Sequence, residues 1–171
     1  MTGGTLLADE IRVTVSGLFT THHRLRARTI ALGVLTIPVL KAEAVFYAAD
    51  GRELILDRTS WWRRTYELRA NDVLLGTARP LGILRRENDL RFDGRTYRLS
   101  AIGVWGRIWR LVGPSGNIVA EIRPRGVFSR GAILCIFESV DLDLLVFAYH
   151  LVNACWHDQA AAAGAAAAAG G

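Results

Sequence analysis

From Ile11 to Ile122 the chain alternates short apolar runs with turn-forming clusters. Ile11 to Phe19 reads as a strand. Gly33 and Pro38 interrupt the apolar run from Ile30 to Leu40, which argues against one long helix there, because glycine weakens a helix and proline removes one of its hydrogen bonds. Asp50-Gly51, Asn71-Asp72, Glu87-Asn88-Asp89, Asp93-Gly94 and Gly113-Pro114-Ser115-Gly116-Asn117 read as turns. Between them lie runs rich in Leu, Ile, Val, Trp and Tyr. Runs of this length between such turns predict short strands joined by hairpins, as in an all-β sandwich or barrel. Leu90–Leu99 reads as one hairpin turning at Asp93-Gly94, and Ile108–Ile122 as another turning at Gly113–Asn117.

The pattern also repeats. Asp50-Gly51-Arg52 returns as Asp93-Gly94-Arg95, and Trp62-x-Arg64-x-Tyr66-x-Leu68 returns at the same offset of 43 as Trp105-x-Arg107-x-Trp109-x-Leu111. Arg79-Pro80-x-Gly82 returns as Arg123-Pro124-x-Gly126 at an offset of 44, as one added residue in the intervening hairpin turn would produce. Three matched blocks in order imply two copies of one β-meander, each with an apolar face to bury against the other. The runs at 11–19 and 25–47 are candidates for a further, degenerate copy.

The last element differs in kind. Ser139 and Asp141 suit a helix N-terminus, where an oxygen acceptor and a negative charge are favourable. Leu142 to Trp156 is apolar almost all round. A helix without a polar face has to be covered on every side. Its fifteen residues fall short of the roughly 20 that a bilayer crossing needs, so a core helix over about 140–156 is expected rather than a membrane span. In a mainly β chain such a helix can lie between sheets or inside a barrel. A barrel of about a dozen strands leaves a lumen too wide for its own side chains to fill. The stretch before it, 1–10, reads as a flexible leader, and the Ala/Gly-only stretch within 159–171 as a frayed low-complexity tail.

Size and charge refine this picture. A chain of 171 residues suits one domain, here expected over 11–158. Residues 52–130 hold sixteen arginines against eight acids, whereas residues 131–171 hold four acids and no Lys or Arg. Lys41 is the only lysine. Arginine suits bidentate phosphate or carboxylate contacts and stacks on aromatic rings. Cys135 and Cys155 sit among apolar residues without a paired spacing, so they are expected to be buried thiols rather than zinc or redox ligands. No signal peptide is evident, which makes a cytoplasmic setting the expectation.

The duplicated meanders, the pattern Tyr66-x-Leu68…Leu74-Leu75-Gly76 and the closing segment Ala132 to Trp156 together resemble the tubby C-terminal-like superfamily, in particular its LURP-one-related and phospholipid-scramblase-like branches. The likeness spans roughly residues 40–156. It implies a closed barrel of about twelve antiparallel strands with the C-terminal hydrophobic helix threaded through its centre. It also implies binding, chiefly of membrane lipids. Tubby proteins hold phosphoinositide headgroups with basic residues, but no local motif aligns those residues here. The proline-rich amino-terminal region and calcium motif of scramblase-like proteins have no counterpart in this sequence.

The most specific chemical pattern is the repeated Trp-x-Arg-x-aromatic-x-Leu. In a strand these alternate residues share one face, so Arg64 is expected beside Trp62 and Tyr66, and Arg107 beside Trp105 and Trp109. Aromatic rings suit a bilayer interface and guanidinium suits phosphate. The same pattern would also serve as a stacking ladder that stiffens each meander. Arg63-Arg64, Arg85-Arg86 and the pair Arg107 and Arg110 extend the basic character. The candidate lipid- or anion-binding residues are therefore Trp62, Arg63, Arg64, Arg85, Arg86, Trp105, Arg107 and Arg110. On the helix, Asp143, His150 and His157 fall seven apart on one stripe, with Asn153 nearby; the plainer reading is satisfied core polar groups with His157 at the exit. No nucleophile elbow, phosphate loop, dinucleotide fingerprint or zinc signature occurs. The expectation is a non-enzymatic binding domain without cofactor or metal, peripheral to the inner membrane face and bound to anionic phospholipid. A protein-interaction scaffold is the alternative. Nucleic acid is a weaker expectation, since no recognition helix is present.

Overall fold

The computed structural model describes residues 5–6, 9–38, 41, 43–60, 64–81, 86–103, 106–126 and 130–169. After a two-residue strand β1 (Thr5–Leu6) come β2 (Glu10–Ser16), β3 (Thr20–Ala27), β4 (Ile30–Pro38), β5 (Ala44–Ala48), β6 (Glu53–Arg58), β7 (Tyr66–Ala70), β8 (Val73–Leu81), β9 (Glu87–Phe92), β10 (Arg95–Ile102), β11 (Ile108–Val112), β12 (Ile118–Pro124) and β13 (Gly131–Ile136). β14 (Val140–Asp141) leads into α1 (Leu142–Ala169). Among the described residues, β2 to β13 form a closed barrel of twelve strands in sequence order, and β13 returns antiparallel to β2 to seal it. β1 pairs with β14. Part of the segment expected as a loose leader is thus tied to the start of the helix.

Period-two burial builds the wall. Ile11 and Val13, Leu54 and Leu56, Tyr66 and Leu68, and Leu90 and Phe92 point inward, while their neighbours face out. At one end the strands turn through tight hairpins. Asn71 and Asp72 both take positive φ (47° and 64°), the twist that two-residue hairpins favour. One turn and one strand assignment change. Glu87-Asn88-Asp89 is not a turn but the start of β9, with Asn88 buried inside the barrel. The strand expected over Ile11–Phe19 ends at Ser16, because Gly17 turns the chain at φ 97°, where a Cβ would lie 2.0 Å from the Thr20 carbonyl oxygen.

The register resolves the repeat into three meanders, β2–β5, β6–β9 and β10–β13. Leu25, Leu68 and Leu111 are spaced 43 residues apart, and each is followed by a register shift against the next strand. Their partners across the ladder are Gly33, Gly76 and Ala120. Val13, Leu56 and Leu99 are likewise 43 apart and fully buried, and Phe46, Leu90 and Leu134 are 44 apart and fully buried. The first copy escapes notice in the sequence because its version of the Trp-x-Arg-x-aromatic-x-Leu block reads Phe19-x-Thr21-x-His23-x-Leu25.

The helix fills the lumen. Every residue from Leu142 to Asn153 is buried, so no face of these three turns meets solvent. Its side chains meet several parts of the wall: Arg52 between β5 and β6, His23 on β3, Tyr66 on β7 and Gly76 on β8. Asp141 caps it, accepting the Asp143 amide at 2.8 Å. Beyond His157 the helix continues exposed, so the Ala/Gly stretch within 159–169 is helical rather than frayed. No helix among the described residues is long and apolar enough to cross a membrane.

At the hairpin end of the barrel, Asp143 is 2% exposed and its carboxylate accepts from Arg52 Nη1 at 2.5 Å. Arg52 also donates to Asp50 at 2.8 Å. Burial pushes the Asp143 carboxyl above the usual carboxylate range, against the opposing pull of Arg52. Removing one partner of such a pair leaves an uncompensated buried charge, at a cost of roughly 3–5 kcal/mol. Arg52→Ala is therefore expected to lower unfolding stability by about 3 kcal/mol, and adding Asp143→Asn should recover part of that loss. Urea denaturation of the two variants checks both.

Candidate mouth site where the helix leaves the barrel

The two ends of the barrel differ in construction. The hairpin end is closed by short turns and by the Arg52–Asp143 pair. At the other end α1 emerges past described residues of the connections there, among them Leu18 after β2, Arg64 before β7, Arg107 before β11 and Arg130 before β13. There Trp156 Nε1 donates to the Arg107 carbonyl oxygen at 3.2 Å, pinning the helix as it exits. Beside it opens a cavity of about 620 Å³. Val15, Leu18, Pro124 and Trp156 supply apolar wall, and Arg107 and Arg130 supply positive charge. No carboxylate lines it among the described residues. Leu18 is 75% exposed and the adjoining Phe19 86%. Ile30, Val73 and Phe137 are also strongly exposed elsewhere, but Leu18 lines this cavity and has Phe19 next to it in the chain.

The inner edge of the cavity is polar. His23, on the inward face of β3, shares a 2.6 Å hydrogen bond between Nδ1 and the Tyr149 hydroxyl of the helix, while its Nε2 pairs with Thr21 Oγ1 at 3.0 Å. Burial, reinforced by His150, His157 and His22, lowers the His23 pKa to about 4. His150 meets the Tyr66 ring edge-on with centroids 5.9 Å apart. Its Nδ1 is buried without a partner, and burial lowers its pKa to about 4. Both imidazoles are thus held neutral. Asn153, one turn further out, lines the cavity.

The residues singled out from sequence are partly dispersed. Trp62, Arg63, Arg85 and Trp105 lie outside the described residues. Arg64 does not share a strand face with Tyr66: β7 begins only at Tyr66, Arg64 takes a positive φ of 50°, and its guanidinium pairs with Asp158 on the emerging helix. The cation over the Tyr66 ring is Arg58, 5.9 Å from the centroid. Arg107 likewise precedes its strand and is exposed, whereas Trp109 is fully buried in the lumen. Arg86 lies beside Gly106, near the same rim. Arg110 projects from the outer wall and pairs with Glu121 at 3.2 Å. The Asp143, His150 and His157 stripe runs the length of the lumen, one residue at the closed end, one in the interior and one exposed at the mouth. Among the described residues no group of three or more His, Cys, Asp or Glu is placed to hold a metal ion. Both thiols are half-buried rather than fully buried.

Sequence reasoning missed Leu18, Phe19, Arg130, His23 and Asn153 as parts of one site. One local signal was available. Phe19 stands 43 residues before Trp62 and 86 before Trp105, so an aromatic residue recurs at this sequence position in all three copies. Comparison with protein-family models, curated proteins and solved structures finds no match to this chain.

The buried imidazoles set a pH dependence. Below about pH 6.5 the unfolded chain binds protons that folded His23 and His150 refuse until about pH 4. Stability contributed by both is therefore full above pH 6.5 and falls as pH drops toward 4. At about 1.4 kcal/mol per unit, the loss approaches roughly 3 kcal/mol per histidine. Asp143, raised rather than lowered, acts in the opposite sense. Urea midpoints measured from neutral to acidic pH should fall steeply for the parent chain and distinctly less for His150→Phe.

Proposed function

We propose that this chain is a non-enzymatic binding domain that docks on anionic membrane phospholipid through the mouth where its helix emerges. The observation that carries this reading is the composition of that rim: exposed Leu18 and Phe19 beside a cavity bearing Arg107 and Arg130 and no lining carboxylate among the described residues. Apolar and aromatic side chains partition into the interfacial zone of a bilayer. Each arginine near an anionic surface adds about 1 kcal/mol. Elsewhere much of the arginine surplus is offset locally. Arg110 faces Glu121, Arg69 faces Glu67 and Arg79 faces Asp89, so the outer wall is a poorer anion-binding surface than charge counting suggests. The same offset applies to Arg64 and Asp158 on the helix.

A protein-interaction scaffold without lipid binding is favoured by one feature, the exposed Ala/Gly end of α1 over 160–168. Co-sedimentation with vesicles separates the two readings. Acidic vesicles should carry the protein down, neutral ones should not, and rising salt should release it as the screening length shortens. Arg107→Ala with Arg130→Ala should weaken association tenfold or more, and Leu18→Ser with Phe19→Ser should weaken it at all salt concentrations. Arg110→Ala, on the wall, should leave it unchanged. A protein that stays in the supernatant with vesicles of every charge would remove the lipid reading in favour of the scaffold.

A further inference from the structure

The mouth cavity has more structure than a membrane-docking rim requires. Its volume, about 620 Å³, falls within the roughly 300–1,000 Å³ of pockets that enclose small ligands. Two buried polar side chains reach it, His23 and Asn153. His23 is committed on both ring nitrogens, to Tyr149 and to Thr21. Asn153 is not. It is only 9% exposed, yet its amide forms no hydrogen bond among the described residues. A primary amide offers two donors and one acceptor. Because that amide faces the cavity rather than the packed interior, its donors and acceptor are available to an occupant.

The occupant has to meet three conditions at once. It carries negative charge, because Arg107 and Arg130 line the cavity without a lining carboxylate to neutralise them. It carries a neutral hydrogen-bonding group close to that charge, to meet Asn153. It carries an apolar portion, to cover Val15, Trp156 and Leu18, whose exposed side chain extends the apolar surface outward toward Phe19. A single-chain anionic phospholipid satisfies all three: its phosphate suits guanidinium, its glycerol hydroxyl and ester carbonyl suit an amide, and its acyl chain suits the apolar track. A bare inorganic anion lacks the last two, and a neutral hydrocarbon lacks the first two.

We infer that the mouth cavity binds one molecule of a single-chain anionic phospholipid, with the phosphate held by Arg107 and Arg130, the glycerol region by Asn153, and the acyl chain running over Leu18 toward Phe19. The inference rests on the proposed preference for anionic lipid and adds where one molecule of it sits.

The test uses the full chain and a lysophosphatidate with an acyl chain short enough to remain monomeric, titrated calorimetrically, in parallel with co-sedimentation on acidic vesicles. One-to-one binding is expected. Arg107→Ala with Arg130→Ala should weaken it at least tenfold. Asn153→Leu should also weaken it about tenfold; a thermal melt that matches the parent verifies that the loss is one of binding. Val15→Trp, which fills the cavity from β2, should abolish monomer binding while vesicle association persists. Vesicle association with no monomer binding overturns the cavity site and leaves the membrane reading standing. Monomer binding that Asn153→Leu leaves unchanged also overturns it, since the lipid would then be held at the rim alone. Failure of both assays removes the two readings together.

Discussion

A helix with no polar face and a barrel with an unfilled lumen are each unstable alone, and everything else in this molecule follows from their answering each other. Twelve strands enclose more space than inward side chains can occupy. Leu142 to Asn153 supplies the missing volume, and the wall in turn covers every face of the helix. The wall is trimmed to admit it. Ala44, Ala78, Ala120 and Ala132 are inward and buried, and a Cβ placed on Gly76 would approach the Phe147 ring to 3.5 Å. Larger side chains such as Phe46 and Trp109 fill the remaining volume between wall and helix. Dispersion and apolar burial set the energy scale, at about 1.5–3 kcal/mol for each large side chain removed from water.

Apolar packing alone would leave the helix free to slide or rotate, because it is nondirectional. Polar contacts at three depths fix it: Asp143 with Arg52 at the closed end, Tyr149 with His23 in the interior, and Trp156 with the Arg107 carbonyl at the mouth. The repeat explains why these contacts differ. Three copies of one meander would present a threefold lining, but a single helix has no such symmetry. His23, Tyr66 and Trp109 occupy equivalent positions, 43 residues apart, and each meets a different part of the interior. His23 bonds Tyr149 and Tyr66 receives the edge of His150, whereas Trp109 is fully buried with its Nε1 unpartnered. Divergence of the copies at this level is the physical requirement for one rotational setting of the helix.

How much of this was legible in the sequence depended on how local the signal was. Strand alternation, the hairpins at Asp93-Gly94 and Gly113–Asn117, and the apolar segment from Leu142 are read from neighbouring residues, and the structure contains them. The third meander was legible only as a suspicion, because Thr21 and His23 replace the arginine and aromatic residue that mark the other two copies. The Trp-x-Arg-x-aromatic block was misjudged for a related reason. Its alternation assumes that the strand extends through Arg64 and Arg107, whereas both precede their strands. A loop residue obeys no period-two rule. The partner of Arg64 is Asp158, 94 positions away, and no local pattern reports such a pairing. Leu18 and Phe19 were lost by the same assumption, since an uninterrupted strand to Phe19 would have placed only one of them outward.

The asymmetry of the ends then decides where a ligand would meet this fold. Along the wall the backbone polar groups are paired strand to strand, and a closed barrel leaves no edge to extend. The hairpin end is shut by short turns and the Arg52–Asp143 pair. Among the described residues, an open cavity and the emerging helix coincide at the mouth, and connections between rigid elements are where binding groups are most freely varied. The charge pattern points the same way. Among the described residues, Asp158 is the acid that the emerging helix brings to this rim, and Arg64 pairs with it, so Arg107 and Arg130 beside the cavity keep their positive charge. The helix that completes the core thus also forms one side of the site, and a ligand in the cavity would contact Asn153 and Trp156 directly. Occupancy of the mouth and retention of the helix are coupled through the same few side chains, because whatever covers Asn153 and Trp156 adds contacts that exist only while the helix is seated.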